Sequence, residues 1–444
     1  MMNVPNEPTA VQVMRNTSAA YKRYIFQRLR CTLGSRLPRA STPHLLILAW
    51  LFPPKVSGGV YRPLSFVQRA IERGWQVTVV AGPPVDNPSA AGAYLARQVP
   101  DSARVLRVVP PQHTVSYRAF PRIDGGFLNV LETFDLVRDA LNHSPTVIVP
   151  TGPPFHNFVA GWMLSRYYRA PLVLDYRDEW TECPFDFVRI GNCDLAWERR
   201  CIRSASAVVM TTDSFIEHAI ERFPELDRKR VHKVMNGWEP SDMPTGELEL
   251  ERPKGTHSTE IEIAYVGNLG DHVPVSKLLA DLSTLVEQAP ALARRVAVRF
   301  VGDRAAGADR LLSQFQHRWM LRLDGQVPKP TAIQVMRSAS ALLIINEPSL
   351  SRYIPGKLFD YIASGTPILI YGADGEAGRI VKQLGAGVEV TPGATNQLGT
   401  VLDQLGNNQI AISPARAQEW LAAHTRQRSA DAMLNILQKV SNRA

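Results

Sequence analysis

The stretch Pro355-Gly356-Lys357-Leu358-Phe359-Asp360-Tyr361-Ile362-Ala363-Ser364-Gly365-Thr366-Pro367-Ile368-Leu369 reads as a helix start, a short helix, a glycine turn and an apolar strand. Lys357 stands in the first turn, where its full charge adds to the positive end of the helix. Asp360 follows one turn later on the same face. A lysine that meets a diphosphate, beside a carboxylate that accepts from ribose hydroxyls, is the pair a nucleoside diphosphate requires. A capping acid beside a solvated lysine is the plain structural alternative.

Outward from this stretch, short apolar β-branched runs alternate with segments of 3.6-residue rhythm. The expected strands are His44–Trp50, Gln76–Ala81, Val105–Val109, Val147–Thr151, Leu172–Tyr176, Ala207–Thr211 and Val231–Met235, then Ile261–Val266, Val296–Val301, Leu321–Leu323, Ala341–Ile345, Pro367–Tyr371 and Val388–Thr391. Helical rhythm runs over Tyr61–Arg73, Phe155–Tyr168, Asp194–Ser204 and Lys277–Gln288. Near-continuous apolar strands alternating with helices predict doubly wound α/β parallel sheets. The strands fall into two series, which predicts two Rossmann-like domains, 43–240 and 261–414, joined by a polar, proline-containing linker over 241–260. A final helix occupies 415–444. In such sheets ligands bind at the carboxyl ends of the strands, so a cleft between the two domains is expected.

The chain has 444 residues, 45% hydrophobic and 20% charged, an ordinary globular composition long enough for two cores. Its net charge of +9 suits phosphorylated small molecules, an anionic membrane face or nucleic acid. The basic residues form no nucleic-acid module. The four cysteines make neither a C-x-x-C pair nor a disulfide framework, and no metal site is signalled. No apolar run is long enough to span a membrane. The first 42 residues carry seven Arg and Lys against one acid, Glu7. Tyr21, Tyr24, Ile25, Phe26 and Leu29 are interleaved with them. The segment reads as a basic amphipathic helix on a membrane surface or as a disordered basic tail, and not as a secretory signal.

Further candidate residues lie at strand ends. Gly58 and Gly59 follow the first strand, where paired glycines let backbone approach a ligand, and Arg62 one turn inside the helix is placed to reach the same anion. Arg177 and Asp178, in the run LDYRDEW, suit orientation of an acceptor hydroxyl or form a structural pair. His156, after the fourth strand, reads as a catalytic or substrate-contacting histidine, or as a structural one. Gly267 and Asn268 form a small-residue loop suited to phosphate oxygens.

Taken together, FPP…GG…R, DYRDEW, WERRCIRSASAVVMTTD, MNGWE, YVGNLG and PGKLFDYIASGTPIL resemble the family 4-type glycosyltransferases of GT-B fold, over nearly the whole chain from about His44. The resemblance implies retaining transfer from a nucleotide sugar with no bound metal and no other cofactor. It implies a donor held mainly by the second domain and an acceptor by the first, a saccharide or, as the basic N-terminal segment suggests, a lipid-linked one. It places Gly356, Lys357, Leu358 and Asp360 at the nucleotide, with Asp360 on the ribose. Gly58 and Gly59 would face the diphosphate, and Lys357 would stabilise its departing charge. Arg352 stands where relatives carry the first glutamate of E-x₇-E, and Arg177 where many carry a histidine. These departures leave a nucleotide-binding scaffold or a nucleotide-sugar epimerase as alternatives. The expected setting is polysaccharide or glycolipid assembly in the cytoplasm, peripheral on the inner face of the membrane.

Overall fold

The computed structural model describes residues 8–112, 114–242, 260–372, 375–410 and 412–442. Most of the expected linker, residues 243–259, therefore lies outside the described residues. The chain divides into two compact units, Met1–Met235 with Ser429–Ala444, and Asn236–Arg428.

The first unit holds seven parallel strands. They are β1 (His44–Leu48), β2 (Gln76–Ala81), β3 (Arg104–Arg107), β4 (Val147–Gly152), β5 (Val173–Tyr176), β6 (Ala207–Met210) and β7 (Val231–Lys233), in the order β3-β2-β1-β4-β5-β6-β7. In register, Leu45 lies opposite Val77 on one side and Val147 on the other. Both faces of β1 are buried: Leu46 and Leu48 join a core with Val80 and Ile148, while Leu45 and Ile47 join another with Val79 and Val147. Covering helices on both faces explain why the strands read as unbroken apolar runs.

The second unit holds β8 (Ile261–Val266), β9 (Val296–Val301), β10 (Leu321–Asp324), β11 (Ala341–Ile345), β12 (Ile368–Tyr371) and β13 (Gly387–Val390), all parallel, in the order β10-β9-β8-β11-β12-β13. In each sheet the first strand sits beside the fourth. The winding reverses there, between β1 and β4 and between β8 and β11, and loops that leave in opposite directions open a crevice.

One expectation changes. The single helix expected over 415–444 is two, Pro414–Ala423 and Arg426–Ser441. The break is bridged by Trp238, whose N–H donates to the His424 carbonyl (3.1 Å) and whose carbonyl accepts from Arg426 N–H (2.8 Å). Past the break the helix buries Met433, Leu434 and Leu437 in the first unit's core, and Asp431 pairs with Arg69 there. Of the two readings of the first 42 residues, the helix holds over part of the segment. Ala10–Leu33 is helical, with Thr9 and Gln12 forming a reciprocal capping box.

Candidate functional site

In the second unit the helix Lys357–Ser364 begins after the loop that leaves β11, and Gly267 and Asn268 leave β8. The winding reversal therefore brings Lys357 against Gly267. A Cβ on Gly267 would lie 3.3 Å from Lys357 Nζ, and its φ of +127° is one that side chains disfavour. A side chain at position 267 would crowd the ammonium group. Lys357 as a residue is half-buried, but its Nζ is sealed from solvent and has no hydrogen-bond partner among the described residues. It sits 3.3 Å from the centroid of the Tyr265 ring. Burial holds the Lys357 pKa well below the ordinary lysine range. The Tyr265 ring offsets part of that cost through its negative face. Tyr265 is itself fixed, donating from its hydroxyl to the Asn268 carbonyl at 3.0 Å. Tyr361 hydrogen-bonds both backbone groups of Val266, at 2.8 and 3.2 Å, and so ties the lysine's helix to β8.

A sealed, unpartnered ammonium beside a positive-φ glycine and a helix start is prepared for an anion. The neighbouring residues are less uniform. Gly356 has no atom within 4 Å of where a Cβ would stand, so backbone is open to a ligand there. Leu358 is fully buried and belongs to the hydrophobic interior, which corrects its expected place at the nucleotide. Asp360 lies on the same helix as expected, but Lys329 Nζ donates to it at 2.8 Å. Sequence reading missed Lys329, because it starts a different helix, and Tyr265, whose only signal was an aromatic residue at the end of an apolar strand. Arg352 is half-buried in the loop before the lysine's helix, near in sequence to the site but not joined to Lys357 by any hydrogen bond.

In the first unit the winding reversal gathers Trp50 from the loop after β1, His156 from the start of the helix His156–Tyr168 that follows β4, and Arg177 from the loop after β5. Arg177 donates to the carbonyls of Gly59 (2.7 Å), Gly152 (3.1 Å) and Pro153. It therefore works as a clamp on the two loops flanking the reversal, and its donors are directed at backbone rather than at a substrate. This explains Gly59, where a Cβ would fall 2.1 Å from Arg177 Nη1. Gly59→Ala is expected to displace the guanidinium and loosen both loops, read as faster amide hydrogen exchange over residues 57–60 and 152–155. Unchanged exchange there would argue against the clamp. Gly58 has open space above it, so of the pair it is Gly58 that exposes backbone.

Arg62 does not reach outward. It is 6% exposed and forks onto Asp175, 0% exposed, with Nη2 at 2.8 Å from one carboxylate oxygen, while Nη1 donates to the Met235 carbonyl at 3.2 Å. The expectation that it meets the same anion as the glycine loop is corrected on that ground. His156 is fully buried, its ring packs edge-on against Trp50 at 4.5 Å, and neither ring nitrogen has a partner among the described residues. Burial pushes its pKa down to about 3, so it is neutral. Asp178 is half-buried, and burial pushes its carboxyl up to about 6 against the pull of the adjacent Arg177 charge. No group of three or more metal-ligating side chains occurs among the described residues.

Residues 57–237 match the family described as glycosyl transferase 4-like domain. No curated protein matches the chain in sequence. Among solved structures the chain is similar to sucrose-phosphate synthase from Thermosynechococcus elongatus, at 16% identity and TM-score 0.65, over 91% of this chain and 100% of that one. It is similar to Anabaena HepE in complex with UDP, at 15% identity and TM-score 0.59, over 90% of this chain and 100% of that one. A third is a variant of S. aureus TarM in complex with fondaparinux, alpha-GlcNAc-glycerol and UDP, at 8% identity and TM-score 0.58, over 89% and 99%. Identities this low establish a shared fold, that of paired Rossmann-like units. The chain accordingly carries a glycosyl transferase 4-like domain over residues 57–237 and shares the GT-B fold of these structures.

Proposed function

We propose that the protein moves a sugar from a nucleoside-diphosphate sugar to a hydroxyl of a saccharide or lipid-linked acceptor, with retention and without a bound metal, in polysaccharide or glycolipid assembly on the cytoplasmic face of a membrane. The observation that carries the donor assignment is the sealed, unpartnered Lys357 Nζ over Tyr265 at the winding reversal of the second unit. The structures of HepE with UDP and of TarM with UDP and saccharides support the substrate class.

In this reading the bond from the anomeric carbon to the β-phosphate oxygen breaks, and its electron pair leaves with the nucleoside diphosphate. Lys357 stabilises that growing negative charge once its ammonium turns from the Tyr265 ring to the phosphate. The acceptor oxygen bonds to the same carbon on the face the diphosphate leaves, which retains the configuration, and its proton passes to the departing phosphate oxygen.

The donor assignment is tested with UDP-, GDP-, TDP- and CMP-sugars, read by thermal shift and by nucleotide release with and without acceptor. One diphosphate sugar should raise Tm and release nucleotide faster with acceptor, and CMP-sugar should do neither. Release or interconversion without any acceptor would indicate an epimerase. A thermal shift with no release at all would indicate a scaffold.

A further inference from the structure

The N-terminal helix Ala10–Leu33 has two apolar faces, and only one is covered. Its inner face is fastened to the helices Phe127–Ala140 and His156–Tyr168. Gln27 Nε2 donates to the Leu131 carbonyl (3.0 Å), Cys31 Sγ to the Met163 carbonyl (3.3 Å), and Arg23 Nε to Asp135 (2.6 Å). Tyr21 and Tyr24, expected among the lipid-facing residues, turn inward onto Phe120 and Phe127 at 5.0 and 5.2 Å. This anchoring fixes which face points out.

The outward face is apolar as well. Val11, Met14, Ile25, Phe26, Leu29 and Leu33 are 54, 66, 56, 52, 58 and 77% exposed. At about 100° per residue they fall within roughly 60° of a single line along the helix, opposite Ala20, Gln27 and Cys31, which are buried. These residues make two exposed apolar patches, Val11 with Met14 and Ile25 with Phe26, Leu29 and Leu33, separated on the same face by Arg15, Ser18 and Lys22. The charges around them are of one sign. The helix carries Arg15, Lys22, Arg23, Arg28 and Arg30 and no acid, and among the described residues only Arg23 is ion-paired with carboxylates. Arg15 and Lys22 are exposed on the patches' own side, and exposed Arg36 and Arg39 follow the helix. No helix among the described residues is long and apolar enough to cross a membrane.

We propose that the outward face of Ala10–Leu33 is the membrane-docking surface of the protein, lying in the interface of an anionic phospholipid bilayer with Leu29, Phe26 and Ile25 in the acyl boundary and Arg15 and Lys22 against headgroup phosphates. The occupant follows from the single-sign charge, because each Lys or Arg near an anionic leaflet adds to binding while the apolar patches insert. A second copy of the same helix would bring five cations against five. This deepens the membrane part of the proposed function and does not depend on the donor assignment.

The test is co-sedimentation of the full chain with vesicles of phosphatidylglycerol and phosphatidylcholine, and with phosphatidylcholine alone. The wild type should bind the mixed vesicles at least about tenfold more tightly, with affinity falling as salt rises. Combined Ile25→Ser, Phe26→Ser and Leu29→Ser should reduce binding by about tenfold or more, and Arg15→Glu with Lys22→Glu should abolish the preference for anionic lipid. All the substituted side chains are exposed, so folding is checked by an unchanged Tm and an unchanged donor-induced thermal shift. That second reading separates failure of the docking surface from failure of the donor site. Equal binding to both vesicle types, or full binding by the serine variant, would overturn the proposal. So would a wild-type dimer that the serine variant converts to monomer, since the face would then belong to a second copy.

Discussion

Replacing Lys357 with alanine is expected to lower glycosyl transfer by about 10²–10³-fold while the second unit stays folded, the loss typical of removing one donor from a developing oxyanion. The structure adds a prediction about stability that sharpens this one. A sealed ammonium with no hydrogen-bond partner costs free energy in the unliganded protein, and the Tyr265 ring returns only part of it. Lys357→Met, similar in volume and uncharged, should therefore raise the stability of the free protein by about 0.5–2 kcal/mol while abolishing the donor-induced thermal shift. The pH dependence follows from linkage. Burial lowers the folded pKa of Lys357, so between that value and its ordinary value near 10.5 the unfolded chain binds the extra proton. Wild-type stability should rise with pH through that window. The advantage of the Met variant should be largest below the folded pKa and should shrink as pH approaches 10.5. A diphosphate favours the charged lysine, so donor binding above the folded pKa should take up a proton, visible in calorimetry as a heat that changes with buffer. An alanine variant with near-wild-type turnover would remove Lys357 from the site. A methionine variant less stable than wild type would mean the lysine has a partner in the folded protein.

The second large effect belongs to Arg62. Removing one member of a buried, hydrogen-bonded ion pair leaves the other charge uncompensated, at a cost of about 3–5 kcal/mol. Arg62→Ala would leave Asp175, with no exposure, in that position. The unfolding transition of the first unit should drop by roughly 6–20 °C. Arg62→Lys should recover only part of this, because a point charge cannot reproduce the fork onto both carboxylate oxygens or the contact with the Met235 carbonyl. Replacing both partners, Arg62→Met with Asp175→Leu, should cost far less than either single loss of charge. If Arg62 instead met the donor phosphates, Arg62→Ala would weaken donor binding with little change in Tm, and the two assays separate these outcomes.

The sites differ in how far they could be read in advance. Lys357 was legible because three local signals agreed: an apolar strand, a loop, and a lysine in the first turn of the next helix. Its lack of a partner was not legible, since Tyr265 and Gly267 come from a strand end 90 residues and more away in the chain. Arg62 and Arg177 looked alike as basic residues near strand ends. One is buried against a carboxylate of β5 and the other is spread over three carbonyls, and only the packed sheet distinguishes them. Tyr21 and Tyr24 likewise matched the helical rhythm of their segment, yet a helix apolar on both sides does not reveal which side its own protein covers.

The amino-acid sequence by itself determined the strands, the two parallel sheets and the position of the anion-binding helix, because local periodicity and the burial of both sheet faces leave few alternatives. Only the tertiary structure decided which charges are spent inside the fold. Arg62, Arg177 and Asp360 are held by partners, while Lys357 is sealed without one. The physical reason is that a charged group's role depends on what desolvates it and what lies within hydrogen-bond reach. Both are set by segments far apart in the chain.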